Sequence, residues 1–411
     1  MIGRLRAWIP RADRAAGGLA VDLGLYALSA LFALVTAASS TLGPHRTWGG
    51  IAGYGYAAAA LCVLVQLLAR WPHRRGLLTV LTWLAVAIVP LLLEAARGEA
   101  QEEVIVVERA GQRLLDTGTP YLDRATIAAL PPDERLLGYV PYQPGMALFG
   151  LPRALAGVHW WTDARVWFAL VTAAVLAAAL AVVRARASDA ALVRAFQSAT
   201  VLPICALTLA VGGDDLPVLA MCLLALALAA RERFLGAGFA VGVAGALKLF
   251  AWPVALVLLA LAATRGRREA ARFALPAIGL PVLAVLPAVA ADPGAAVENL
   301  VRFPLGRGLV GSPAASPFPG HLIAAALPGG RLIAAALLVA AGLAIGWWLL
   351  RRPPRDADTA ALICAYGLTA AFLLMPATRF GYLLYPIAFL VWRPVFRWDS
   401  RPTQTRRTQG E

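Results

Sequence analysis

Residues 215–264 read DLPVLAMCLL ALALAARERF LGAGFAVGVA GALKLFAWPV ALVLLALAAT, and their charged members are Asp215, Arg231, Glu232, Arg233 and Lys248. A helix needs about 20 apolar residues, each rising 1.5 Å, to cross a bilayer. The stretch is too long for two such helices. Its charged breaks divide it into 215–230, 234–247 and 249–264, the last two short. Working outward, apolar runs recur near 18–39, 50–70, 76–95, 163–183 and 191–211, then near 272–291, 331–350, 358–375 and 380–396. The expected fold is an all-α polytopic membrane protein with about 12 transmembrane helices.

Composition agrees. Of 411 residues, 60% are hydrophobic and 15% charged, against roughly 45–50% and 25% in soluble domains. That excludes a soluble domain, and collagen-like, disulfide-stapled and disordered chains each need a composition absent here. The four cysteines, Cys62, Cys205, Cys222 and Cys364, lie in apolar runs with no C-x-x-C pair, so zinc binding is not expected.

A net charge of +14 could suggest nucleic acid, but the cations cluster between apolar runs. Threading from a cytoplasmic N-terminus puts Arg4, Arg6, Arg11 and Arg14 inside, then Arg70, Arg74 and Arg75, then Arg184, Arg186 and Arg194. Arg231 and Arg233, the group Arg265 to Arg272, the group Arg351 to Arg355, and the cations from Arg393 onward follow on the same side. This is the positive-inside pattern, with both termini cytoplasmic and no clear cleavage site after the first run. The outer side receives the long loops, 96–162 and 292–330, the first holding an uncharged run at 141–151 that reads as a re-entrant or surface helix.

Polar groups concentrate on that outer side. Glu102 and Glu103 open an amphipathic segment that runs to Asp116-Thr117-Gly118. A carboxylate at the membrane boundary is partly desolvated and suited to accept a proton, though acidic residues also favour a helix N-terminus. Asp214 and Asp215 stand between two spans, where paired carboxylates point to function or to a helix cap before Pro217. Lys248 is the chain's single lysine, and fits either phosphate contact or an interfacial cation beside Trp252. Arg302, Arg307 and Arg379 are outer arginines whose planar forks match phosphate oxygens. His45, His73, His159 and His321 are scattered and read as loop residues. No phosphate-binding glycine loop is present.

Glu103-Val104-Ile105-Val106-Val107-Glu108-Arg109-Ala110-Gly111, continuing to Gly118-Thr119-Pro120-Tyr121, resembles the D-x-x-V-Y-x-x-A-G-x-x-L-L-x-x-G-x-P-Y pattern of glycosyltransferase family 87. That family is the α-1,2-mannosyltransferase-like branch of the GT-C superfamily. Tyr142-Gln143-Pro144-Gly145 resembles its Tyr-Pro-Pro-like element, and Ala237 to Lys248 its glycine-then-lysine run. The resemblance covers residues 76–395 and implies a GT-C-like catalytic core at 76–396 with long extracytoplasmic loops. Two added helices and an N-tail then make up 1–75, and a basic cytoplasmic tail makes up 397–411.

It further implies a plasma-membrane hexosyltransferase, a mannosyltransferase in the family's usual case. A sugar would pass with inversion from a polyprenyl-phosphate donor to a hydroxyl of a lipid-linked glycan or glycolipid, without a cofactor or an obligatory metal. Glu103 or the adjacent Glu102 would be the base, where the family has Asp. Lys248, Arg379 and Arg302 would face phosphate, and Asp214, Asp215 and Tyr142 the substrate. The rival from another class is a transporter or flippase of envelope lipids. Such proteins tend to have repeated halves and mid-membrane sites, whereas here the polar groups gather at one face.

Overall fold

The computed structural model describes residues 15–69 and 74–397 and is helical, with an isolated bridge between Ala315 and Thr378 in place of any sheet among the described residues. The N-terminal arginines, Arg70, His73 and the tail cations beyond Arg397 lie outside the described residues. The helices are α1 (Leu19–Ser39), α2 (Gly43–Ala69), α3 (Arg75–Arg97), α4 (Glu102–Thr117), α5 (Ala164–Val183), α6 (Asp189–Thr200) and α7 (Pro203–Val211). They continue as α8 (Asp215–Ala229), α9 (Phe234–Leu247), α10 (Ala251–Thr264), α11 (Arg267–Ala291), α12 (Gly330–Arg351), α13 (Ala357–Leu374) and α14 (Phe380–Phe396).

Among the described residues, seven helices are long and apolar enough to cross a membrane, and α6 with α7, bent by 43°, makes an eighth if taken as one span. α8, α9, α10 and α14 are apolar but shorter, at 10–17 residues. The expected spans therefore all correspond to helices, but a third of them fall short of crossing length. The run at 141–151 is too short to cross and is helical as expected: a 3-10 helix, Pro144–Gly150, runs into a short α-helix, Leu151–Ala156.

Exposed leucines such as Leu28 and Leu31 on α1, Leu275 and Leu283 on α11, and Leu332 and Leu343 on α12 present hydrocarbon outward. That suits a bilayer, where lipid replaces water as the solvent of the helix surface. Cys205, Cys222 and Cys364 are buried as expected, whereas Cys62 is exposed on α2. Helix contacts depend on small residues, as usual in membranes. Gly238 and Gly242 of α9 lie against α11, where an added β-carbon would come within 2.1 Å of the Phe273 carbonyl oxygen and 2.3 Å of that of Pro276.

The N-terminal hairpin α1–α2 is bonded into the bundle. Pro90 has no N–H, so the carbonyl of Val86, one turn earlier, loses its helical donor. The helix widens to a π turn over Leu84–Ile88, and the Trp48 indole of α2 donates to Val86 O at 2.8 Å. At the α6–α7 break, Cys205 N turns to Leu202 O, and the Tyr56 hydroxyl of α2 donates to the released Val201 carbonyl at 2.6 Å. At the opposite end of the bundle, Asp22 of α1 accepts from Arg75 Nε at 2.6 Å and Gln197 at 3.0 Å, and pairs with Arg194.

Candidate active site

The polar residues of interest stand at helix ends on one end of the bundle. The linker 98–101, between α3 and α4, is pinned first. Arg165, fully buried at the start of α5, donates to the Glu99 carbonyl at 2.7 Å and that of Ala210 at 3.1 Å, and pairs with Glu94 at 3.0 Å and Asp163 at 2.7 Å. Gln101 N then donates to the Val211 carbonyl at 3.2 Å. These bonds deliver Glu103, in the first turn of α4, to the break between α7 and α8. A β-carbon added at Gly212 would lie 3.9 Å from Glu103 Oε2. Glu102, one residue earlier, is exposed.

Further along α4, Glu108 pairs with Arg153 at 3.2 Å and accepts from Ala164 N at 3.1 Å. Burial, with Asp163 nearby, raises its pKa to about 7 against the pull of Arg153. Gly111 and Gly150 let α4 cross the 144–150 turn backbone to backbone, since a β-carbon on Gly150 would lie 2.2 Å from Val107 O.

Arg379 forms an ion pair with Glu103 Oε1. Its segment is clamped by the loop before α12: Ser316 N donates to Thr378 O at 2.9 Å, Thr378 N to Ala314 O at 3.0 Å, and Phe380 N to Ser316 Oγ at 3.0 Å. His321 Nδ1 adds a bond to the Pro376 carbonyl at 3.1 Å. Glu103 Oε2, by contrast, is buried with no hydrogen-bond partner among the described residues. A buried carboxylate oxygen without a donor is costly, by roughly 1–3 kcal/mol or more, and so marks a place where a donor group belongs.

The second group adjoins the first. Antiparallel α8 and α9 bring the N-terminus of one beside the C-terminus of the other, an arrangement that favours anions at the first and a cation at the second. Asp214 occupies the N-cap position of α8, but its carboxylate makes no capping bond. It accepts from Lys248 Nζ at 2.9 Å, and Asp215 accepts at 2.6 Å. The Tyr385 hydroxyl donates to Asp215 at 2.8 Å. Around the ammonium stand the rings of Tyr142, Phe250 and Tyr382, at 5.3, 5.4 and 5.6 Å from their centroids. Tyr382 lies one short turn past Arg379, and its N–H donates to the Arg379 carbonyl at 3.1 Å. Glu103, Arg379, Asp214, Asp215, Lys248 and Tyr142 thus share one neighbourhood.

Arg302 does not join them through any contact among the described residues. It is half exposed and pairs with Glu298 at 3.4 Å, in a separate knot where Glu298 also takes Arg124 at 3.0 Å and the Tyr139 hydroxyl at 2.8 Å. Sequence reasoning did not single out Gln101, Tyr382, Tyr385 or His45. His45 opens α2 and accepts from Gln101 Nε2 at 2.6 Å. Its place in the turn after the first span, on the side assigned to the outer loops, was the available signal. Among the described residues no group of three or more His, Cys, Asp or Glu is arranged to hold a metal ion.

The crystal structure of ArnT from Cupriavidus metallidurans bound to undecaprenyl phosphate superimposes with a TM-score of 0.50 at 17% identity, covering 79% of this chain and 60% of that one. The apo form gives 0.47 at 17% identity, covering 77% and 58%. The chain therefore spans less than two thirds of the length of these neighbours. The likeness to the undecaprenyl phosphate-bound form shows the fold, a multi-pass helical bundle of the ArnT kind. Residues 139–393 match glycosyltransferase family 87, and the chain belongs to that family. No curated protein matches the chain. Glu103 and the α1–α2 hairpin lie upstream of the matched segment.

Proposed function

We propose that the protein transfers a hexose, mannose in the family's usual case, from a polyprenyl-phosphate donor to a hydroxyl of an envelope glycolipid or lipid-linked glycan on the extracytoplasmic face, with both termini cytoplasmic. The observation that carries this reading is the Glu103 carboxylate. One oxygen meets Arg379, and the other is buried and bare beside the Asp214–Asp215–Lys248 cluster.

The acceptor hydroxyl gives its proton to Glu103 Oε2 as its oxygen attacks the anomeric carbon from the face opposite the phosphate. The bond from anomeric carbon to phosphate oxygen breaks, its electron pair leaves with the polyprenyl phosphate, and configuration inverts. Arg379 stabilises the departing phosphate through its planar fork. A phosphate that engages Arg379 also draws the guanidinium from Glu103 and frees the carboxylate to take a proton. Lys248 is matched by two carboxylates, and its role is to hold Asp214 and Asp215 aimed at sugar hydroxyls, with Tyr142 forming the wall. Undecaprenyl phosphate bound to the ArnT neighbour is consistent with a lipid-phosphate partner here. The phosphodiester leaving group is already a weak base, so the proposal includes no metal.

Glu103→Gln is expected to abolish sugar transfer to endogenous acceptors while the protein still folds into membranes. Full transfer by Glu103→Gln, with loss in Glu102→Gln, reassigns the base. Full transfer by both defeats the mechanism.

A further inference from the structure

We infer that the turn between α1 and α2, outside the family-matched segment, forms an acceptor subsite for an uncharged, polyhydroxylated headgroup. The inference rests on the transfer reading above and assigns it a second binding region.

A cleft of about 500 Å³ lies between this turn and the α3–α4 linker, with Pro44, Arg46 and Thr47 on one wall and Gly98, Glu99 and Ala100 on the other. That volume is in the range of small-molecule sites. Its residues flank the His45–Gln101 hydrogen bond on both strands of chain, and Gln101 is two residues from Glu103. The cleft therefore adjoins the end of α4 that carries Glu103, and the subsite inferred here holds the acceptor on that side of the carboxylate.

The lining selects the ligand. Arg46 and Glu99 are both exposed and, among the described residues, neither has an ion-pair partner in the protein. One cation and one anion across a cleft oppose a phosphate but supply donors and acceptors to hydroxyls, with Thr47 adding one of each. The cation suited to phosphate, Arg379, stands on Glu103 itself. Donor phosphate and acceptor hydroxyls thus meet different residues. The hairpin is rigid enough for this role, because Trp48 and Tyr56 of the same helix bond to Val86 and Val201 in the bundle.

The test uses full-length protein carrying Arg46→Ala with Thr47→Val, expressed in a strain deleted for the gene. Glycolipids are profiled by mass spectrometry, and undecaprenyl phosphate binding is measured on the purified protein. Losing hydrogen bonds to a charged group predicts a fall in hexosylated product of about tenfold or more, with undecaprenyl phosphate affinity within twofold of wild type. Arg379→Ala should instead weaken undecaprenyl phosphate binding. Unchanged product overturns the subsite. So does a matching loss of undecaprenyl phosphate binding in the cleft variant, which would give the cleft to the lipid phosphate or to folding. A Glu103→Gln strain that still makes the product, or a deletion strain with unaltered glycolipids, overturns the transfer reading instead.

Discussion

Replacing Lys248 with methionine tests whether the cluster at the α8–α9 end is held by charge. The ammonium is buried and lies 2.9 Å from Asp214 and 2.6 Å from Asp215. Methionine keeps most of the side-chain volume, so packing against Tyr142, Phe250 and Tyr382 changes little. What is lost is the cation between two buried carboxylates. Breaking a buried ion pair by removing one partner costs about 3–5 kcal/mol, roughly two to three and a half orders of magnitude in the unfolding equilibrium. The second carboxylate places Lys248→Met toward the upper end of that range.

Unfolding in mixed micelles, followed by tryptophan fluorescence, measures the loss. Adding Asp214→Asn and Asp215→Asn to Lys248→Met removes the stranded charges and should recover more than half of it, a gain isolated by comparing the Lys248 variant, the Asp214/Asp215 variant and the triple variant. The rescued protein should remain inactive in sugar transfer, because the groups proposed to orient the sugar are gone. A Lys248→Met protein that unfolds like wild type, or a triple variant no more stable than the single one, refutes the reasoning.

Two further outcomes follow from groups outside the cluster. Trp48→Phe leaves the Val86 carbonyl without its 2.8 Å donor opposite Pro90 and should destabilise the protein by about 1–3 kcal/mol in the same unfolding assay; an unaffected midpoint would mean that the π turn satisfies itself. Glu108 has its pKa raised to about 7 by burial and by Asp163, so the folded state holds a proton that the unfolded state releases from about pH 4.5 upward. Its contribution to stability therefore declines as pH rises from about 4.5 to 7 and is level above that. Glu108→Gln should flatten that slope in melting curves recorded from pH 4 to 8, and an unchanged slope would place the titration elsewhere.

Fold class was legible because a bilayer imposes its thickness on the chain. Arg231-Glu232-Arg233 and Lys248 split the 215–264 run where α8, α9 and α10 begin and end, since backbone and charge cannot both be left unsatisfied in hydrocarbon. The amphipathic helix ending at Gly118 was legible from its glycine C-cap, which takes φ 75°. Span length was less so. α8 to α10 are cut short by Asp214–Asp215 and Lys248 at the candidate site and by Arg231-Glu232-Arg233 at the other end, and hydropathy windows do not distinguish a short helix from a full crossing.

The site was half legible. Lone charges in apolar surroundings stood out, which singled out Glu103, Asp214, Asp215, Lys248 and Arg379. Pairing did not, because it is a tertiary property. Nothing near Lys248 in sequence shows that it answers to two carboxylates more than thirty residues upstream, or that Arg379 answers to Glu103. Arg302 carried the same local signal as Arg379 but sits with Glu298. His45 and the polar wall of its turn were hidden by an ordinary loop composition, and Trp48 by the absence of any local sign that Pro90 would need it.

The arrangement has a physical origin in what a membrane permits. Charges inside the hydrocarbon are expensive, and they are tolerated near helix ends where dipoles, caps and interfacial water offset them. Glu103 opens α4, Asp214 and Asp215 open α8, Lys248 closes α9, Arg379 precedes α14 and His45 opens α2. Each stands at a terminus, and the chain's reversals bring those termini to one end of the bundle. A transporter instead breaks its helices near the midplane to place polar backbone there. The π turn before Pro90 and the bend between α6 and α7 have their released carbonyls taken by Trp48 and Tyr56. Both bonds come from the hairpin whose turn walls the cleft. The polar residues of the candidate site are thereby left at helix ends, on the rim of the bundle.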